Sequence, residues 1–179
     1  MTEIRTHEID PAAWPDLDAL LGAAGGCDGC WCMNHRDETV RGEAGKRALH
    51  DLVAAQAAGG VLAYVGASVV GWCALDVPSA IPDHDCATDL RDDDDTALVA
   101  HCFFVSSEFR GRGVAKALLA GAVDVARGRG VSRVVGFPSP PEPADAVFSF
   151  FGPYTVFREL GFEEVRRIDG PFCRVELAL

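Results

Sequence analysis

The side chains best suited to chemistry gather in four places. His101 and Cys102 stand together in an apolar run, Ala97 to Val105. Nine residues beyond His101 comes a basic, glycine-flanked turn, Arg110-Gly111-Arg112-Gly113, which leads straight into an amphipathic stretch. Cys27, Cys30, Cys32 and His35 crowd one short segment, and Tyr154 lies in an aromatic segment near the C-terminus.

The basic turn is the most specific of these. A strand, a turn and a helix start in that order make an anion site, because the first N–H groups of a helix lack internal acceptors and carry the positive end of its dipole. Gly111 and Gly113 let the backbone come close to a ligand, and Arg110 and Arg112 add charge. Two other phosphate loops are excluded. A Walker loop needs four residues between its glycines followed by Lys and Ser or Thr, and a dinucleotide fingerprint needs Gly or Ala where Lys116 stands.

Histidine has the unperturbed pKa nearest neutrality, so His101 can act as a base toward an amine; it can equally be a core histidine satisfied by hydrogen bonds. Strand alternation puts Val99, His101 and Phe103 on one face and Cys102 and Phe104 on the other, barring a bulge. His101 and Cys102 are therefore not expected to face one substrate together. The pattern Cys-x-x-Cys-x-Cys-x-x-His holds enough soft ligands for one zinc, but it is compressed and no second Cys pair follows. The expectation is no metal, and a reduced loop whose Trp31 and Met33 cover apolar surface.

These groups need a scaffold, and 179 residues suffice for one domain, 1–179, with a sizeable core. The start has no apolar stretch of signal length, no run could span a bilayer, and seven scattered cysteines suit a reducing compartment; the expected location is cytoplasmic. A net charge of −11 argues against nucleic acid or an anionic membrane as partner. Most of it lies between Asp76 and Asp95, where eight aspartates face one arginine. That stretch reads as a loop, either simply solvated or a lure for a cationic substrate.

Periodicity predicts a strand over Glu3 to Ile9, a helix starting at Pro11 or Pro15 and stopping at Gly22, and a second helix from about Glu43 to Ala58 closed by Gly59-Gly60. A hairpin follows, Val61 to Val65 and Val69 to Leu75, and then the acidic loop. Beyond the strand Ala97 to Val105, a helix begins at Val114 and ends at Gly128 to Gly130. The strand Val131 to Phe137 leaves through Pro138, Pro140, Pro141 and Pro143. A short helix from about Pro153 to Leu160 and two strands, Phe162 to Ile168 and Phe172 to Leu177, close the chain. Strands and helices alternate in the middle with antiparallel pairs at both ends, which gives an α/β (α+β) class with a mixed sheet.

The turn Arg110 to Ala115 resembles the Arg/Gln-x-x-Gly-x-Gly/Ala pyrophosphate loop of the GNAT acetyltransferase superfamily. It follows a strand, opens a helix, and has Leu160-Gly161-Phe162 downstream, where the superfamily often carries Leu-Gly-Phe. The element order of the whole chain fits as well. The run Cys-Trp-Cys-Met from Cys30 is similar to a subgroup of bacterial members.

The resemblance implies the GNAT fold, a mostly antiparallel sheet splayed at the acyl coenzyme A site. It implies acetyl-CoA (coenzyme A) as cofactor, its pyrophosphate on Arg110, Gly111, Arg112, Gly113, Val114 and Ala115 and its pantetheine arm along the backbone of Phe104 and Val105. The expected reaction is acetyl transfer to a primary amine of a small molecule by direct attack in a ternary complex, with His101 as base. The superfamily's acid, a tyrosine four residues before the glycine of the Leu-Gly-Phe turn, is replaced by Phe157, which still marks the cofactor wall; Tyr154 shares a helical face with it and is the candidate substitute. Trp31, Cys32 and Met33 are placed at the acceptor pocket. A homodimer is a family expectation. The missing tyrosine also motivates an alternative, a catalytically degenerate module that binds or senses acyl coenzyme A.

Overall fold

The computed structural model describes residues 3–22, 26, 28–82, 84, 86–91, 93–141, 149–168 and 170–179. Every described strand joins one sheet in the order β1-β2-β3-β4-β5-β7-β6. The strands are β1 (Ile4–Glu8), β2 (Gly59–Val65), β3 (Ser68–Asp76), β4 (Ala97–Val105), β5 (Arg133–Gly136), β6 (Glu163–Arg167) and β7 (Cys173–Ala178). All neighbours are antiparallel except β4 and β5. That parallel pair needs a crossover, and the helix α4 (Val114–Arg129) supplies it. The other helices are α1 (Trp14–Leu21), α2 (Gly42–Ala54), α3 (Ala87–Leu90) and α5 (Tyr154–Glu159).

The core forms on both faces of the sheet. On one, Val114, Leu118, Leu119, Ala122 and Ala126 of α4 pack with Phe157 of α5 against Val61, Leu75, Leu98 and Ala100. On the other, Leu17 and Leu21 of α1 and Leu49 and Val53 of α2 meet Leu62, Trp72 and Ala74. Small residues let α4 come close to the sheet: a Cβ on Gly71 would stand 2.7 Å from Val114 Cγ1, and one on Gly121 would stand 3.0 Å from Thr6 Oγ1. The helix ends where Gly130 turns left-handed, φ +69°, and its amide bonds back to the Ala126 and Arg127 carbonyls.

Several boundaries differ from the sequence reading. A short 3₁₀ turn, Pro11–Ala13, capped by the Asp10 carboxylate, carries the chain into α1, so Pro15 falls at the second helical position and costs no hydrogen bond. The helix α2 stops at Ala54, and Gly59-Gly60 open β2 instead of closing the helix. The Trp72 indole explains this: it crowds Gly60 so closely that a Cβ there would come within 2.0 Å of the ring. Gly128 lies inside α4. Pro143 lies outside the described residues.

The acidic stretch is not a plain solvated loop. It contains a 3₁₀ turn, Pro78–Ala80, and α3, and its described aspartates have partners. Asp89 and Asp93 are 6% exposed and pair with Arg174, Asp89 also with Arg166 and Asp93 with Arg133. These contacts tie the stretch to β5, β6 and β7. Asp76, its first member, ends β3 and is buried at the site described next. Among the described residues no helix is long and apolar enough to cross a membrane.

Candidate active site

The strand β4 carries the site, and a bulge shapes it. Ala74 of β3 pairs with His101 and Trp72 pairs with Phe104, so Cys73 faces both Cys102 and Phe103. The extra residue is accommodated at Cys102, whose φ of +50° is rare for a side chain other than glycine and costs on the order of 1 kcal/mol. Simple alternation therefore fails here. Phe103 joins Ala100 in the core under α4, while Cys102 and Phe104 pack on the side of α1 and α2. His101 and Cys102 end on one face with their side chains touching, His101 Nδ1 lying 3.3 Å from Cys102 Sγ.

Behind them runs a buried polar chain. His101 Nε2 lies 2.8 Å from Asp76 Oδ2, and the same oxygen accepts from Arg36 at 2.5 Å. His101 is 0% exposed, and the Asp76 and Arg36 side chains are 1% and 6% exposed. Burial works to raise the Asp76 carboxyl, but the Arg36 charge and the bond from His101 outweigh it and hold it below its usual range. Burial also lowers the His101 imidazole, with Asp76 opposing. The imidazole is then neutral, its proton on Nε2 toward the carboxylate, and Nδ1 presents a lone pair to the Cys102 thiol.

Cys102 is shared with a second thiol, Cys32, which also accepts from the Trp72 indole at 3.2 Å. The hydrogen bond from Cys102 makes the Cys32 thiol easier to ionise, against burial and with help from Arg36 and the Trp72 indole, while the same bond and burial push the Cys102 thiol well above its usual range. Cys32 itself has φ +55°, and Arg36 fixes its carbonyl at 2.6 Å.

A cavity of about 200 Å³ opens on this arrangement. Its apolar wall includes Leu21, Phe103, Phe104 and Phe150; Cys30, Cys32, His35 and Cys102 bring chemistry to it, and Asp28, Asn34 and Arg41 stand among its polar members. His101 does not line it and reaches it only through Cys102 and through His35, whose ring centre is 5.2 Å away.

Of the acceptor-side residues expected from sequence, Cys32 lines this cavity. Trp31 and Met33 are 3% and 5% exposed and lie in the core with α1 and α2. Tyr154 is not among the lining residues, and its hydroxyl donates to Glu164 at 2.9 Å. Of the compressed Cys-x-x-Cys-x-Cys-x-x-His pattern, Cys27 lies outside the described residues; among the described residues, the donor atoms of His35, His101 and Cys102 come within 4.8 Å of one another.

The stretch expected to hold the cofactor runs along the edge of β4 that faces β5. β5 ends at Gly136 and pairs with β4 only from Ala97 to Ala100, so the strand from His101 to Val105 has no β5 partner. Phe104 and Val105 are half-buried along that stretch. Phe157 is fully buried in the splay, its ring edge-on to Phe103 and Phe162 and pressed against Gly136, so it shapes the groove from behind. At the far end the chain turns through Gly111, φ +71°, and Gly113, φ +86°, with no atom within 4 Å of where either Cβ would stand. The first helical bond runs from Ala117 N to Gly113 O, so the amides up to Lys116 have no acceptor within the helix. Arg110, Arg112 and Lys116 are exposed around them, and no acidic residue lies in the first turn. This open, positive cradle fits a pyrophosphate.

Asp76 and Arg36 were missed as site residues by sequence reasoning. Asp76 was hidden among seven other aspartates, and no spacing links residues 36, 76 and 101.

No curated protein matches the chain in sequence. Solved structures show the fold. An acetyltransferase from Acinetobacter baylyi superposes with a TM-score of 0.63 at 15% identity, covering 100% of this chain and 93% of its own. One from Salmonella typhimurium, solved with its cofactor acetyl-CoA, gives 0.58 at 17%, covering 98% and 94%. A ribosomal-protein-alanine N-acetyltransferase from Brucella melitensis gives 0.57 at 20%, covering 99% of both chains. Residues 29–152, well over half of the chain, match the acetyltransferase (GNAT) family model. The chain belongs to the GNAT acetyltransferase family, whose acyl donor is acetyl coenzyme A.

Proposed function

We propose that the chain is an N-acetyltransferase that moves the acetyl group of acetyl coenzyme A to a primary amine of a small molecule. The observation that carries this reading is the adjacency of two features along β4. The open cradle at the start of α4 lies at one end of the strand's free edge, and the cavity with its thiols and imidazoles opens beside Cys102.

In this reading Arg110, Gly111, Arg112, Gly113, Val114 and Ala115 hold the pyrophosphate, and the backbone of Phe104 and Val105 holds the pantetheine arm as an added strand would. Bound there, acetyl coenzyme A supplies an activated acetyl thioester. The bulge sets one residue of β4 out of the ladder, which frees an amide to stabilise the oxygen of the acyl group. The cavity, small and walled by Leu21, Phe103, Phe104 and Phe150, favours an apolar amine over a protein side chain. The six described free cysteines suit a reducing cytoplasm, and a homodimer stays an expectation of the family.

Direct attack within a ternary complex is the order of steps that the resemblance implies. It needs a base on the cavity wall, and the imidazole there is His35, with His101 behind it. Release of coenzyme A thiol, followed with a thiol reagent over a panel of alkyl and aryl amines, tests the activity. Tight coenzyme A binding with no release on any amine would favour the sensor module instead.

A further inference from the structure

We propose that His35, His101 and Cys102 form a binding site for one zinc ion at the wall of the cavity, with a fourth position left open to it. The site does not depend on the acetyltransferase reading.

Zinc takes nitrogen and sulfur donors in a tetrahedron, at about 2.0 Å from imidazole and about 2.3 Å from thiolate. Cys102 Sγ and His101 Nδ1 are 3.3 Å apart. With those bond lengths the angle they subtend at a shared ion is about 100°, close to tetrahedral. One donor atom from each of His35, His101 and Cys102 lies within 4.8 Å of the other two. In a closed tetrahedron the separations are about 3.3–3.6 Å, so His35 has at most about 1.5 Å to close. It lies in the turn-rich segment between α1 and α2, outside any regular element that such a movement breaks.

Neighbouring strand residues normally point to opposite faces and cannot share an ion. The bulge at Cys102, with its φ of +50°, turns both side chains onto one face. The strain borne there makes a chelate of two consecutive residues.

The surroundings suit a metal-bound histidine, whose second ring nitrogen typically donates to a carboxylate that fixes the tautomer and raises the basicity of the ligand atom. His101 Nε2 lies 2.8 Å from Asp76 Oδ2, and Arg36 keeps that carboxylate ionised. Nδ1 is left with its lone pair toward Cys102. His84 is no ligand, although its ring centre is 4.5 Å from that of His35: its Nδ1 accepts from the Cys86 amide, so its proton is on Nε2.

In the ion-free protein Cys32 is the more ionisable thiol and Cys102 holds its proton. A bound dication reverses that order, because a coordinated thiol is deprotonated outright; Cys32 then keeps its proton and donates to the Cys102 sulfur. One proton leaves for each zinc bound. Two imidazoles and a thiolate select zinc over magnesium or calcium, which take oxygen ligands. Cys102 and His35 line the cavity, which gives the ion its way in, and water completes the tetrahedron from that side.

The test titrates reduced, chelator-stripped protein with Zn²⁺ in competition with a chromophoric chelator, and separately with Co²⁺. One equivalent of Zn²⁺ is expected, with one proton released, and Co²⁺ should give the intense visible bands of a tetrahedral ion together with a near-ultraviolet thiolate-to-cobalt band. Cys102→Ser should lose the thiolate band, and Cys102→Ala and His35→Asn should each weaken zinc binding by about 100-fold or more. Cys32→Ser should keep the band, and His84→Gln should keep the affinity. Circular dichroism establishes that each variant is folded, and His35→Asn, altered in a turn, carries the test where a Cys102 variant does not fold. No zinc bound, binding that these ligand variants leave unchanged, or a thiolate band that survives Cys102→Ser overturns the proposal. Zinc binding with no turnover on any amine supports the site and counts against the transferase reading; turnover by a protein that takes up no zinc overturns the site and leaves that reading intact.

Discussion

Replacing Asp76 should reveal how much of the fold's stability depends on this site. The carboxylate is the shared acceptor for a guanidinium and an imidazole that are both shut away from water. Asp76→Asn removes the charge and keeps the volume, so the principal consequence is an uncompensated cation at Arg36, which retains only the Cys32 carbonyl. Breaking one side of a buried pair costs about 3–5 kcal/mol. A domain of this kind has about 5–15 kcal/mol in total, so the variant should unfold at much lower urea. Arg36→Met behaves differently, because the stranded carboxylate has a second partner able to take a proton. Without the Arg36 charge, the Asp76 carboxyl and the His101 imidazole both take up a proton more readily than in the parent fold. The cost of Arg36→Met relative to the parent should therefore be larger at pH 8 and shrink as pH falls to 6. Asp76→Asn should show no such gain on acidification. Urea curves followed by tryptophan fluorescence at both pH values measure this, with Trp72 beside Cys32 as the reporter. An Asp76→Asn protein within about 1 kcal/mol of the parent, or an Arg36→Met cost relative to the parent that grows from pH 8 to 6, would refute the argument.

Three further outcomes follow from other parts of the structure. Burial pushes the His84 imidazole down to about 2, so the folded protein refuses a proton that the unfolded chain takes up below about 6.5; stability should fall as pH drops from there, by about 2 kcal/mol at pH 5, and His84→Gln should flatten a pH series of urea midpoints by one proton. Gly71→Ala should destabilise by about 1–3 kcal/mol and weaken coenzyme A binding, because the new methyl meets Val114 at the first turn of α4; calorimetric titration with coenzyme A reads the second effect, and unchanged affinity would separate the cradle from that contact. Tyr154→Phe should leave turnover within about twofold and cost about 1 kcal/mol of stability, since its hydroxyl is spent on Glu164; a large loss of turnover alone would instead establish Tyr154 as the acid.

The sequence disclosed the parts of this molecule whose physics is local. The limits of β4 and the start of α4 follow from an apolar run, a glycine pair and a periodic helix, and the structure places them at Ala97–Val105 and Val114. The cradle was legible for the same reason, since a helix start next to two glycines and two arginines needs no distant partner. Errors arose where a distant residue decides. Gly59-Gly60 look like a helix stop until Trp72, twelve residues on, is seen to need the space above them as strand. The acidic stretch looks solvated until Arg133, Arg166 and Arg174 come in from three other strands.

The site itself depends on such distant residues more than any other region does. Strict alternation separates His101 from Cys102, and it is one unpaired residue opposite Cys73 that brings them to the same face. Nothing within β4 marks that position, because the strain at Cys102 is borne by the packing of Phe103 under α4 and of Phe104 against the other helices. The charge that directs the imidazole comes from the end of β3, and the cation that keeps that charge comes from the segment ahead of α2. A histidine read alone suggests a base for the amine; the same histidine, placed by a bulge between a carboxylate and a thiol, is sealed behind Cys102 and His35 and leaves the cavity wall to them.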